Sequence, residues 1–263
     1  MFTIPSSSSS RVALVLIDVQ HDFGDASGAL FVPGGDRIVT SCNALRASLV
    51  ETLGAPRVSV FLTQDWHPAD HVSFAANNHG PPALFSIVPL ADGHEQIMWP
   101  VHCVAETAGA AFLPALHVGV DDVVIRKGCN REIDSYSGFG SPAEREASSS
   151  PSGSGSTMVT GSGSTTCAAP RSRRETTQLE ALLRSRSITH VVLAGLALDF
   201  CVSFTALDAR NLGLSVCLAR YATAGIAHES IKRETEAMES AGVIVADNLD
   251  DVIAFCTSAA AEK

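Results

Sequence analysis

The segment Val191-Val192-Leu193-Ala194-Gly195-Leu196-Ala197-Leu198-Asp199-Phe200-Cys201 holds the plan of the chain in one unit. Four apolar residues lead into a Gly-Leu-Ala turn, and helical spacing then runs over 202–211, with Gly213 as its stop signal. So short and so apolar a run suits a strand covered on both faces, since neither side of it meets water. Similar runs recur at 12–17, 58–63, 123–125, 214–218 and 243–245. Helical spacing lies between them. Ile38, Leu45, Leu49 and Leu53 share one face, Leu179, Leu182 and Leu183 another, and 229–240 ends before Gly242. Strands alternating with helices predict an α/β fold, a three-layer α/β/α sandwich around a mostly parallel central sheet.

The 263 residues suffice for one domain of this kind, and a single domain over 1–263 is expected. Eighteen Lys and Arg against 28 Asp and Glu give a net charge of −10, which disfavours nucleic acid and anionic membrane surfaces as partners. The longest apolar run of the first half, 12–17, is too short to span a bilayer. Residues 1–10 have no basic start followed by an apolar block, so they read as a flexible polar tail and not as a secretory leader. The seven Cys lack the paired spacing of a disulfide framework or a zinc knuckle. A soluble cytoplasmic protein is the expectation.

Composition changes once more over 147–166, where Ser and Gly alternate, as in Gly153-Ser154-Gly155-Ser156. Such a stretch buries too little apolar surface to offset its ordering entropy. It is expected as a loop insertion, about 140–175 in all, within one domain and not as a linker between two. The basic run at 171–174 reads as a solvated approach to the next helix.

Ligands of open α/β sheets bind outside the carboxyl ends of the strands, so the residues that follow each run carry the information. Asp18 follows 12–17; Asp65, His67 and His71 follow 58–63; Lys127 follows 123–125; Cys201 follows 191–194 at the start of a helix. Unpaired N–H groups at that helix start favour a thiolate and could hold an oxyanion. A Lys beside Asp18 lowers the carboxylate pKa, and the carboxylate can take the thiol proton and return it to a leaving group. Asp65 and His67, with His71 and His102 nearby, suit a borderline divalent cation such as zinc, manganese or iron. Cys103, Cys217 and Cys256 read as packing residues, and His79, His94, His117, His190 and His228 as surface or core.

These residues fall in segments that resemble the nicotinamidases (pyrazinamidases) of the isochorismatase-like cysteine hydrolase superfamily. The matching segments are Asp18-Val19-Gln20-His21-Asp22-Phe23, Gln64-Asp65-Trp66-His67-Pro68 through Phe74, Trp99-Pro100-Val101-His102-Cys103, Lys127-Gly128, Asp134-Ser135-Tyr136-Ser137-Gly138-Phe139, and the Gly195 to Cys201 turn. The resemblance implies a catalytic triad of Asp18, Lys127 and Cys201. It implies one divalent metal, zinc first, on Asp65, His67 and His102, and His71 is a ligand in some relatives and lies behind the ligands in others. It also implies a cis Leu196–Ala197 peptide, an oxyanion hole from the backbone of Ala197 and Cys201, and an aromatic wall of Phe23, Trp99 and Tyr136 against a pyridine ring.

The implied activity is hydrolysis of nicotinamide to nicotinate and ammonia through a cysteine thioester, in NAD salvage. A carbamoyl amidase, an isochorismatase-type ether hydrolase and a silent metal- or small-molecule-binding protein are the alternatives. Both Cys201 and the Asp65/His67 pair favour the nicotinamidase branch. A homo-oligomer is left open.

Overall fold

A computed structural model describes residues 11–78, 80–90, 95–141 and 176–258. The tail at 1–10, the Ser/Gly-rich stretch, the basic run at 171–174, His79 and His94 lie outside the described residues. β1 (Arg11–Ile17) enters the middle of the molecule. A short α1 (His21–Gly24) and the long α2 (Ile38–Leu53) follow, then β2 (Val58–Asp65). A two-stranded antiparallel hairpin, β3 (Ile87–Pro89) and β4 (Glu95–Ile97), precedes β5 (Val123–Lys127). The second half alternates α3 (Leu179–Ser185), β6 (Ile188–Gly195), α4 (Ser203–Asn211), β7 (Ser215–Thr223), α5 (His228–Ser240), β8 (Ile244–Ala246) and α6 (Leu249–Ser258).

The main sheet runs β5-β2-β1-β6-β7-β8, and every pairing in it is parallel. Its centre is β1, and residues 12–17 are at most 1% exposed. Alternate residues of β1 feed two cores. Val12, Leu14 and Leu16 pack with Cys42, Leu45 and Leu49 of α2 and with Val252 and Phe255 of α6. Ala13, Val15 and Ile17 pack with Leu179 and Leu183 of α3, Ala206 of α4 and Met238 of α5. Helices thus cover both faces, the three-layer sandwich anticipated above. A strand in that position has no wet side, and this is why its sequence shows no alternation.

The structure adds elements that the sequence reading left out. α6 carries a short apolar stripe (Val252, Phe255, Cys256) that packs on the first core. The hairpin strands are three residues each, too short to show a period. Ahead of α4 the chain makes a wide turn over Leu198–Val202, where Phe200 leaves helical geometry at φ −134° and ψ −105°. The helix expected from 202 therefore has Cys201 in a distinct turn before it. The peptide Leu196–Ala197 is cis.

Gly195 closes the approach of β6 to β1. Its φ is +120°, and a Cβ there would lie 2.1 Å from the carbonyl oxygen of Ile17. Gly195→Ala should lower the free energy of unfolding by about 3 kcal/mol, from backbone strain and forced separation of two central strands. Urea unfolding measures this, and a loss below about 1 kcal/mol would mean that the β1–β6 contact yields cheaply.

Candidate active site

Four strands end on the same side of the sheet, and their last residues meet. Lys127, the final residue of β5, is fully buried. Its ammonium lies 3.0 Å from Asp18 Oδ2, hydrogen-bonds Asp65 Oδ1 and the Ser135 carbonyl (3.0 Å), and reaches Cys201 Sγ at 3.4 Å. A buried cation needs this compensation, because its lost hydration is replaced only by close anionic and carbonyl partners.

Asp18 sits just beyond β1 at φ 48°, a left-handed conformation that Asp tolerates better than most residues. Thr63, the polar end of the 58–63 run, holds it from both sides. The Asp18 N–H donates to Thr63 Oγ1 (3.1 Å), and the Thr63 hydroxyl donates to Asp18 Oδ1 (2.6 Å). The Cys201 turn is fixed from behind by Asp199. This carboxylate accepts from the N–H groups of Ile226 (2.9 Å) and Ala227 (3.2 Å) and from Ser230 Oγ (2.5 Å), so it ties the turn to the residues that lead into α5.

Beside this triad lies a second cluster. Ligand atoms of Asp65, His67 and His102 come within 4.8 Å of one another, and all three residues are buried. His67 Nδ1 pairs with the Gly128 carbonyl (2.9 Å) and His102 Nδ1 with the Pro100 carbonyl (2.8 Å). Each carbonyl makes Nδ1 the protonated nitrogen, which leaves Nε2 as the lone-pair donor. Two such imidazoles and one carboxylate fit a divalent cation. Gly128 is essential to the fit, since a Cβ on it would lie 2.4 Å from the His67 ring.

His71 is not part of that group. Its Nδ1 pairs with Ser73 Oγ (2.7 Å), its Nε2 pairs with the Ile133 carbonyl (3.1 Å), and its ring stacks on His67 at 4.3 Å. It does form a second set of candidate ligands with His67 and Asp134.

Both clusters open into one pocket. Phe23, Trp99, Tyr136, Ala197 and Cys201 line it together with Asp65 and His102. Trp99 Nε1 donates to the Tyr136 hydroxyl at 3.0 Å, which locks two of the aromatic walls. Sequence reasoning missed Phe200, Leu30, Val32, Ile226 and Asp134, which line the same space. Phe200 packs against Trp99 at 5.3 Å. Asp134 stood within a matching segment without a role; Leu30, Val32 and Ile226 come from loops with no local signal.

Desolvation decides the protonation states here, and it corrects the sequence expectation. Burial raises the Asp18 pKa, against the pull of Lys127 and with help from Asp65. Burial likewise pushes the Cys201 thiol well up, with Asp18 and Asp65 adding to it and Lys127 opposing. The free site thus rests as a thiol, not the thiolate that the helix start suggested. Burial works against the charged form of Lys127 too, yet Asp18 and Asp65 overcome it and keep the ammonium. Burial would raise Asp65, but Lys127 and His67 hold it below the usual carboxylate range. His102 falls to about 4 through burial and the neighbouring His67. Cys42, Cys217 and Cys256 are pushed up to about 12 by burial; Cys217, Cys256 and Cys103 pack in the first core as expected, and Cys42 joins them.

Because the Cys201 pKa is raised, thiolate forms only as pH rises. In metal-stripped protein, iodoacetamide labelling of Cys201 should climb about tenfold per pH unit between about pH 7 and 9. Peptide mass spectrometry follows each Cys, and a rate already level below about pH 8 would show a depressed thiol pKa instead.

A family model described as Isochorismatase domain matches residues 170–250. The chain is 34% identical over 215 residues to a nicotinamidase of Acinetobacter baylyi, which spans 82% of each chain. Among solved structures, the pyrazinamidase of Pyrococcus horikoshii in complex with zinc is similar at a TM-score of 0.65 and 30% identity, covering 90% of this chain and 99% of that one. PnC1 from L. infantum in complex with nicotinate is similar at a TM-score of 0.66 and 31% identity, covering 91% and 93%.

Proposed function

The chain belongs to the isochorismatase-domain family, among its nicotinamidases, and on that footing we propose that it hydrolyses nicotinamide to nicotinate and ammonia. The observation that carries this reading is one pocket lined by both Cys201 and the Asp65 and His102 side chains, with Lys127 bridging Asp18, Asp65 and the sulfur. Carboxylate, ammonium and thiol supply a base, an electrostatic anchor and a nucleophile. Asp65, His67 and His102 would hold one divalent ion, zinc first, since the similar pyrazinamidase is in complex with zinc; manganese and iron share the donor preference. When bound, that ion supplies an electrophilic anchor for a ring nitrogen.

The chain's own residues then divide the work. Phe23, Trp99 and Tyr136, joined by Phe200, clamp a flat aromatic ring. Asp18, whose raised pKa suits a proton carrier, takes the Cys201 proton as sulfur bonds to the carboxamide carbon. Lys127 at 3.4 Å stabilises the sulfur as it gains charge. Backbone N–H groups of Ala197 and Cys201 serve the tetrahedral oxyanion. The C–N bond breaks, Asp18 returns the proton to nitrogen, and ammonia leaves a thioester. Water then gives a proton to Asp18 and its oxygen to the acyl carbon. The C–S bond breaks, and Asp18 returns the thiol proton.

A single domain over 1–263 is part of this reading, supported by one sheet that draws strands from Arg11 to Ala246. We assign the chain to the cytoplasm, a reading in keeping with the thiols of Cys42, Cys103, Cys217 and Cys256 buried outside any disulfide. No helix among the described residues is long and apolar enough to cross a membrane. The role we assign is return of nicotinamide to NAD synthesis.

Purified protein should release ammonia from nicotinamide, lose this on chelation and regain it with zinc, manganese or iron. Cys201→Ala should lower turnover by about 10⁴-fold or more while metal stays bound. Substantial turnover in Cys201→Ala would end the covalent scheme. No release with any of the three ions would transfer the reading to a carbamoyl amide substrate or to a silent binding protein.

A further inference from the structure

The segment after β1 alternates Asp18, Gln20 and Asp22, and only the first has a role in the chemistry above. We infer that Gln20 and Asp22 are positioning residues that hold the three candidate metal ligands in place relative to Asp18. The inference rests on the reading of Asp65, His67 and His102 as a metal centre.

Gln20 is fully buried, and its amide has three hydrogen bonds. Oε1 accepts the Asp65 N–H at 2.8 Å, and Nε2 donates to the Asp65 carbonyl at 2.8 Å and to the Ala110 carbonyl at 2.9 Å. The backbone pairing of β1 with β2 runs only as far as Leu16 with Leu62. Beyond that pair β1 turns away at Asp18, and the Gln20 side chain takes over the ladder on both polar groups of Asp65. An amide is the one side-chain type that donates and accepts as a peptide unit does.

Asp22 acts on the other two ligands through one residue, Cys103. Its Oδ2 accepts the N–H of Cys103 at 2.7 Å, next to His102, and its Oδ1 accepts the Ala29 N–H at 3.2 Å. Cys103 stands at φ 44°, a left-handed conformation costly for a residue with a Cβ and therefore in need of support. The Cys103 carbonyl in turn accepts the His67 N–H at 3.1 Å. Asp22 thus grips the N–H side of Cys103, where it adjoins His102, and the carbonyl side of the same residue holds His67. The fit is close, because a Cβ on Gly109 would lie 2.2 Å from Asp22 Oδ2.

The test is zinc affinity of metal-stripped full-length protein, read by competition with a chromophoric chelator, alongside the visible spectrum with cobalt(II) and metal-free thermal melts. Asp22→Ala and Gln20→Leu should each weaken zinc binding by about 10–100-fold and alter the cobalt spectrum. Asp22→Asn keeps an acceptor for the Cys103 N–H and should stay within about threefold of the wild type. A purely structural role would lower the metal-free melting temperature and leave affinity and cobalt spectrum unchanged; that result overturns the inference. Should Gln20→Leu fail to fold, the Asp22→Ala and Asp22→Asn pair decides alone. If the wild type takes up neither zinc nor cobalt, the metal-centre reading falls and this inference with it. If the wild type binds and the variants bind as tightly, only the inference falls.

Discussion

A charge without water organises this protein. Lys127 has no exposed surface, and an ammonium moved out of water is strongly unfavourable unless its protons meet close acceptors. A carboxylate of β2, a carbonyl of the loop after β5 and the sulfur of the turn after β6 supply them, and Asp18, just beyond β1, adds a second negative charge at 3.0 Å. Satisfying one cation therefore brings together the ends of neighbouring parallel strands. The sheet order β5-β2-β1-β6 makes the meeting feasible, because these four strands are adjacent and run in one direction.

Burial then tunes each group differently by its neighbours. Asp18 and Asp65 flank the same ammonium, yet Asp18 is raised and Asp65 lowered. The difference comes from the histidines. His67 lies 3.6 Å from Asp65 and favours its charge when the metal-free imidazole is protonated, and Asp65 in turn disfavours a second charge on Asp18. One carboxylate is left as a permanent anion suited to a cation, the other as a group that can exchange a proton. The two assignments in the proposed mechanism follow from that split.

Around both groups the backbone is held by side chains and not by regular ladders. Thr63 grips Asp18, Gln20 grips Asp65, and Asp199 ties the cysteine turn to the start of α5. Strands must end where ligands enter, so their last peptide groups lose their neighbours, and buried polar side chains replace them. These residues sit one or two positions from reactive ones. Their proximity in sequence is a consequence of that replacement.

Much of this could be read from the chain alone. Each of the six strands of the main sheet announces itself as an apolar run; central β1 is apolar throughout because both its faces are covered, whereas the edge strands β5 and β8 leave Val124 and Ile244 exposed. Asp18, Asp65, Lys127 and Cys201 stand out because they are polar at the ends of such runs. The boundaries were less visible: β7 continues past 218 to Thr223, where the exposed Arg220 breaks the apolar pattern. α6 and the β3–β4 hairpin went unanticipated, being short and stabilised by what they pack against. Phe200 and Ile226 as pocket walls, the engagement of both His71 nitrogens and the raised pKa of Asp18 and Cys201 required the tertiary structure. The physical reason is that periodicity and strand-end placement are local properties of a chain. Desolvation depends on which distant residues close over a group, and only the folded arrangement decides that.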